Sequence, residues 1–430
     1  MTKKLLLDSL WTVVTRFVMK GTNLIVFAIL ARKLSLQEFG YYGYVVATTL
    51  LLSTIFDFGT RHSTGYFLGT RPDAEAQITL QAHVWSIVFS ILGAVIFGAW
   101  LYLDHDLLSN WSLLVPAALT LPPMLAIRVQ QGIVLGKGMM GPYNQSESLP
   151  RTLLFVVTML LLVTKSITLE SSLWALCGTF AVAAIYLSLV TVKLGVARGM
   201  DISLTKKILH RGMLFVPGVV LMIASRRISI LMLENLNGPE AAGLYFGVVR
   251  ISETLTEIAL AIGIVIFSHN IRAASQDRAI ADAARVVRCI MPLLLVMCAT
   301  LFVSAKWVIP IALGSHFGGQ EVLFRIALAA TWIGSLWIIL YPSLSALCSP
   351  IVSFWVFVPG VTLNVILTYF FAQKYGAVGA SYALLITQVV LSASFLFAFH
   401  HLFRAKISSF LFIQKADVQG LLKVVRGRRL

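Results

Sequence analysis

With 58% hydrophobic and 12% charged residues in 430, and a mean hydropathy of +0.87, the chain has more apolar surface than a water-soluble fold can cover; soluble domains average about 25% charged residues. The net charge of +16 does not point to nucleic acid, because the basic residues gather between apolar spans, beside anionic lipid headgroups. Cys177, Cys289, Cys298 and Cys348 form no CxxC pair, and there is no HExxH and no GxxxxGK[ST] loop, so no metal, no cofactor and no nucleotide hydrolysis is expected.

A spanning helix needs about 20 apolar residues. Such stretches fall near 9–31, 41–57, 83–103, 109–134, 150–164, 169–192, 212–233, 241–267, 287–311, 321–346, 350–372 and 376–402. The expected fold is therefore an all-α polytopic membrane protein of about twelve transmembrane helices. The ten-residue alternation of an outer-membrane barrel is absent. The first span is expected to stay in the mature chain, since charges interrupt it and no A-x-A site accompanies it.

Twelve spans put both termini on one side, and Lys and Arg choose the side. With the N-terminus cytoplasmic, 22 of the 34 basic residues fall inside and five outside: Arg32, Lys33, Lys165, Lys306 and Lys374. The inside set includes Arg61, Arg128, Lys206, Lys207 and the tail from Arg404. Both termini are thus expected to be cytoplasmic. The longest polar connection, KLGVARGMDISLTKKILHR at 193–211, reads as a basic cytoplasmic link that is partly a surface helix.

That link divides the chain into an N-terminal six-helix lobe (1–200) and a C-terminal six-helix lobe (201–403). A short repeat supports the division. Leu34, Glu38 and Gly40-x-Tyr42-x-x-Val45-Val46 follow span one; Leu236, Glu240 and Gly243-x-Tyr245-x-x-Val248-Val249 follow span seven. Six spans separate the copies, so the repeats run parallel, as in transporters with a central cavity between two lobes. Residues 404–430 mix basic and apolar side chains and read as a basic amphipathic cytoplasmic tail, either a helix lying on the inner leaflet or a disordered segment.

Basic residues within the spans include Arg16, Lys20, Arg151, Arg226, Arg227, Arg250 and Arg325. Each costs about 2.5–3.5 kcal/mol at a helix centre. Arg151 and Arg325 stand near helix ends and reach the interface. Lys20 stands near the bilayer centre. Ser9, Thr12, Arg16, Lys20 and Asn23 are spaced for one helix face, which reads as the wall of a water-filled lumen. Arg226 and Arg227 occur in SRRISI of span seven. Arg250, Glu253 and Glu257 share one face of span eight. Glu253 neutralises Arg250 locally, which leaves Glu257 with no obvious partner in the sequence and makes it a candidate site of ion coupling. Asp57 and Arg61 are spaced as an i,i+4 pair, structural or a cytoplasmic gate. Arg16, Lys20, Arg226, Arg227 and Arg250 against Glu253 and Glu257 make a cationic lumen. Such a lumen attracts an anion, and guanidinium forks suit phosphate or pyrophosphate oxygens.

Four segments resemble the polysaccharide transporter family, which includes the Wzx-type O-antigen flippases of the multidrug/oligosaccharidyl-lipid/polysaccharide (MOP) superfamily. They are ILARKLSLQEFGYYGYVVATTLLLSTIFDFGT (29–60), QQGIVLGKGMMGPYNQ (130–145), LENLNGPEAAGLYFGVVRISE (233–253) and GAVGASYALLITQ (376–388). The resemblance covers essentially the whole chain. It implies a MATE-like fold of two six-helix lobes, alternating access, and a substrate of undecaprenyl-pyrophosphate bearing a sugar repeat unit. It also implies a bacterial inner-membrane location, with inner-membrane lipids, polysaccharide polymerase and chain-length proteins as partners. Arg16, Lys20, Arg226, Arg227 and Arg250 match the lumen role by their place in the spans. Family members often carry an acid near SRRISI, where this chain is basic.

Three rivals stand beside a flippase. A drug antiporter of the same superfamily calls for an acidic lumen, and this one is basic. Lipid II flippases usually carry two additional spans. A membrane-embedded polysaccharide biosynthesis enzyme needs a catalytic acid constellation or a sizeable outside loop, and every outside loop is short. No catalytic residue is expected.

Overall fold

The computed structural model describes residues 21–104, 110–197, 199–260, 276–412 and 414. Regular structure among them is helical throughout: α1 (21–33), α2 (Leu36–Ile55), α3 (Thr60–Thr70), α4 (Glu75–Asp104), α5 (Trp111–Leu119), α6 (Leu121–Gly136), α7 (Met140–Val163), α8 (Leu169–Val192), α9 (Ile202–Met213), α10 (Val216–Glu253), α11 (256–260), α12 (Gln276–Val303), α13 (Ala305–Leu313), α14 (Glu321–Leu347), α15 (Pro350–Phe403) and α16 (Ser408–Leu411).

With α5 and α6 counted as one, eight of the described helices are long and apolar enough to cross a membrane, or nine when α2 and α3, bent by 43°, count as one span. The difference from twelve has local causes. α10 and α15 each contain two expected spans joined through a glycine at positive φ, Gly238 at 84° and Gly376 at 55°, a conformation that side chains resist. At Gly376 the chain doubles back: a Cβ on Gly379 would strike the carbonyl oxygen of Phe371, yet eight residues of straight helix separate such atoms by about 12 Å. The first expected span, 9–31, is described only from residue 21, and span 241–267 only to residue 260. The weak span at 150–164 is longer than its hydropathy suggested, since α7 already begins at Met140.

Two compact units divide between Glu234 and Asn235. In the first, α6 is the central helix, packed against α2, α3, α4, α7 and α8. Its Leu121, Leu125, Val129, Ile133 and Val134 are fully buried. Small residues let α3 approach closely, the usual device where lipid offers no hydrophobic drive between helices. Gly132 faces the Arg61 backbone and Gly136 faces that of Gly65. The 193–211 connection forms the helix α9, capped by Asp201, whose Oδ1 accepts from Ser203 N at 2.8 Å and Leu204 N at 3.1 Å. Leu204 and Ile208 are buried while Lys206 and Lys207 are exposed.

In the second unit α14 packs on α12 and α15. Trp337 is buried among Phe357 and Phe395, and its indole N–H donates to Gln388 Oε1 at 2.6 Å. After α15 the chain turns at Arg404 (φ 56°) into α16. Phe410 is buried against Phe399, and Arg288 donates to the carbonyl of Ser409. Of the basic tail, residues 413 and 415–430 lie outside the described residues.

The repeat occupies matching environments in the two units. Tyr42 and Tyr245 are 5% and 2% exposed, and Val45 and Val248 are both 0%.

Candidate functional site

Arg16 and Lys20 lie outside the described residues. Arg226 and Arg227 stand well inside α10, half-buried and flanked by buried Ser225 and Ser229. Both are engaged in polar interactions. A guanidinium that far from a helix end is costly in hydrocarbon unless it meets polar groups or water. One turn past Ile230, Glu234 is buried at 6% exposure and likewise engaged. The chain is basic at SRRISI itself, and this acid stands just past the expected end of span seven at residue 233.

In the second unit, Arg250 Nη1 and Glu253 Oε2 stand 3.7 Å apart, the i,i+3 neutralisation expected from their spacing. The Arg250 side chain is 28% exposed and that of Glu253 10%. Glu257 is half-buried and is not without a partner. It is therefore not the lone carboxylate that the sequence suggested.

The Asp57–Arg61 spacing does not produce an ion pair. Helix geometry is interrupted between them: Phe58 has φ 46° and Gly59 φ 68°, so the i,i+4 relationship of a continuous helix is lost. Asp57 instead pairs with Arg128 of α6, whose Nε and Nη2 both stand 3.3 Å from Asp57 Oδ2. Asp57 Oδ1 accepts from Gly59 N at 2.6 Å, and its backbone carbonyl accepts from Thr60 Oγ1 at 2.6 Å. The aspartate thus caps the broken turn and ties it to α6 at once. Its side chain is 4% exposed and that of Arg128 15%. Arg128, counted among the inside charges, belongs to the interior of the first unit.

Arg61 turns toward α7. Its Nη2 donates to Tyr143 Oη at 3.1 Å, while its Nε is buried without a hydrogen-bond partner. On the same helix Glu147 binds Arg151 Nη1 through Oε2 at 2.8 Å and accepts from Gln131 Nε2 of α6 through Oε1 at 2.8 Å. Arg151, expected to reach the interface alone, is paired. Arg325 Nε donates to the Phe302 carbonyl at 3.3 Å, and its guanidinium stands 5.3 Å from the Phe302 ring.

Asp57, Arg61, Arg128, Tyr143, Glu147 and Arg151 therefore join the α2–α3 break, α6 and α7 in one charged network with three guanidinium groups against two carboxylates. Such a network locks helices where polar groups have no water to turn to. The signal for it was present in QQGIVLGKGMMGPYNQSES, a polar run entering an apolar helix.

A model of the family described as "Polysaccharide biosynthesis protein" matches residues 5–269. The lipid II flippase MurJ, in an inward closed conformation, superposes with a TM-score of 0.71 at 13% identity, covering 98% of this chain and 93% of its own. A multidrug resistance MATE family transporter of the MOP superfamily, inward-facing, gives 0.68 at 13% identity, with 91% and 94% covered. A eukaryotic MATE transporter gives 0.58 at 12%, with 97% and 100% covered. No curated protein sequence matches. The likeness to solved structures establishes the fold, that of MATE and MurJ transporters. With its family match running over more than half of its length, this multi-pass membrane protein belongs to the polysaccharide biosynthesis protein family.

Proposed function

We propose that the protein is a flippase. It carries undecaprenyl-pyrophosphate-linked oligosaccharide, an O-antigen or exopolysaccharide repeat unit, from the cytoplasmic to the periplasmic leaflet of the bacterial inner membrane by alternating access. The observation that supports this most is the position of Arg226 and Arg227: half-buried, adjacent, and deep within an apolar helix. Polysaccharide biosynthesis family membership supplies the sugar, the fold supplies the transporter, and the guanidinium pair supplies forks whose shape and charge suit pyrophosphate oxygens.

In this proposal Arg16, Lys20, Arg226, Arg227 and Arg250 bind the pyrophosphate and the glycan's anionic groups. Glu253 and Glu257 take part in ion coupling. Asp57 and Arg61 belong to a cytoplasmic gate, each through its own partner. The lobes 1–200 and 201–403 act as the moving halves, with both termini cytoplasmic and the tail 404–430 on the inner leaflet. No covalent step is required of the protein, so it is not an enzyme. Polymerase and chain-length proteins receive the flipped unit.

The shared fold with multidrug transporters keeps one other reading in view, export of a small cationic compound. The experiment that separates them is translocation of an undecaprenyl-pyrophosphate-linked oligosaccharide in reconstituted vesicles, with wild type against Lys20→Ala and Arg226→Ala. Flipping by wild type and poor flipping by inserted, folded variants is the expected result. Equal flipping by the variants removes the site assignment. No flipping, with export of a soluble cation, replaces the flippase by an antiporter.

A further inference from the structure

An open groove of about 750 Å³ runs between α7 and α8. Leu153, Val157 and Leu161 form one wall, and Trp174, Gly178 and Val182 the other. Trp174 and Val182 are 45% and 50% exposed, so the groove is uncovered by protein. Gly178 gives it depth: nothing lies within 4 Å of the place a Cβ would take.

Thr168, Glu170 and Ser171 gather at one end of the groove; the other polar lining residue, Thr179, spends its hydroxyl on the Leu176 carbonyl of its own helix. That end is well defined, because Thr168 and Ser171 form a reciprocal capping box at the start of α8. From Thr168 to Val182 the helix rises about 21 Å. One leaflet of hydrocarbon is about 15 Å deep, half of the ~30 Å core. The groove is long enough for a whole acyl chain, starting from the membrane surface.

One charge, Glu170, lines the polar end, and a second of opposite sign, Lys165, lies beyond the lining residues in the turn before it. Glu170 opens α8, and Lys165, at φ 55°, lies in the α7–α8 turn. Both are exposed, and neither side chain forms an ion pair with another described residue. A headgroup that carries one positive and one negative charge complements this end. A second groove, of about 560 Å³ between α4 and α5, gives the contrast. Val95, Tyr102 and Trp111 are among its lining residues, none of which is charged, so it suits an acyl chain without choosing a headgroup.

We propose that the α7–α8 groove is a binding site for a zwitterionic aminophospholipid such as phosphatidylethanolamine. One acyl chain lies along Val157 and Gly178, the ammonium sits at Glu170 and the phosphate at the Lys165 end. The site is separate from the proposed pyrophosphate residues, and it stands whether or not the protein flips oligosaccharide.

The test is native mass spectrometry of the full chain, released from nanodiscs of equal phosphatidylethanolamine and phosphatidylglycerol. Wild type should retain phosphatidylethanolamine over phosphatidylglycerol by about fivefold, the ratio that ~1 kcal/mol of headgroup interaction provides. Gly178→Leu, whose Cβ has no atom within 4 Å, should cut retained lipid by a similar factor. Glu170→Gln should keep the lipid and lose the headgroup preference. Equal retention by Gly178→Leu overturns the site, and a preference for phosphatidylglycerol overturns the headgroup assignment. If added undecaprenyl phosphate displaces the bound lipid from wild type, the groove takes a substrate tail and the proposal fails.

Discussion

Arg128 of α6 holds Asp57 at 3.3 Å, directly where the second span breaks between α2 and α3. The carboxylate satisfies both the guanidinium and the Gly59 amide, so one buried group fixes a bend and an interhelical contact together. Removal of either partner leaves the other charge buried and uncompensated, which costs about 3–5 kcal/mol. Arg128→Leu and Asp57→Asn should each lower thermal stability in detergent strongly. Their double variant should lose less than the two single losses added. Additive losses in that cycle would show that the pair does not couple.

Close backbone contact between α3 and α6 depends on glycine. A Cβ at Gly132 would press on the Arg61 backbone, whereas one at Gly141 meets open space. Gly132→Val is expected to cost about 2 kcal/mol through overpacking. Gly141→Ala should stay within about 0.5 kcal/mol of wild type. Size-exclusion profiles and unfolding midpoints of the two variants check this, and a Gly132→Val protein as stable as wild type would deny the contact.

In the proposed function Arg226 binds the substrate. Loss of one charge-assisted hydrogen bond to pyrophosphate is worth about 1.5–3 kcal/mol. Arg226→Ala should therefore slow oligosaccharide translocation tenfold or more, with membrane insertion unchanged. Arg226→Lys should recover part of the rate, because the charge stays while the bidentate fork is lost. Full recovery by lysine would show that charge alone suffices there.

Arg250 and Glu253 form a long, partly exposed pair at 3.7 Å, and such pairs add about 0–1 kcal/mol to stability. Arg250→Ala should leave the unfolding midpoint nearly unchanged and still reduce translocation. A large stability loss with normal flipping per folded molecule would reverse that assignment and make Arg250 structural.

Hydropathy in the sequence alone determined that this chain crosses a membrane many times, because a run of about 20 apolar residues has one stable environment. The local spacing of Arg250 and Glu253 determined their pairing in the same way, since residues three apart on a helix are neighbours before any tertiary contact forms. Even the capping box of Ser35 and Glu38 is contained in a four-residue pattern. The tertiary structure decided the partners of Asp57 and Arg61. Their i,i+4 spacing promised a local pair only if the helix ran on through Phe58 and Gly59, and it does not. Asp57 meets a residue 71 positions away and Arg61 one 82 positions away. The same holds for Arg128, whose carboxylate partner 71 positions away no local spacing reveals. Span boundaries follow from the free energy of transfer of each short segment. A buried charge finds its partner through the approach of helices, which depends on glycine contacts and side-chain shape across the whole unit and has no local sequence period to reveal it.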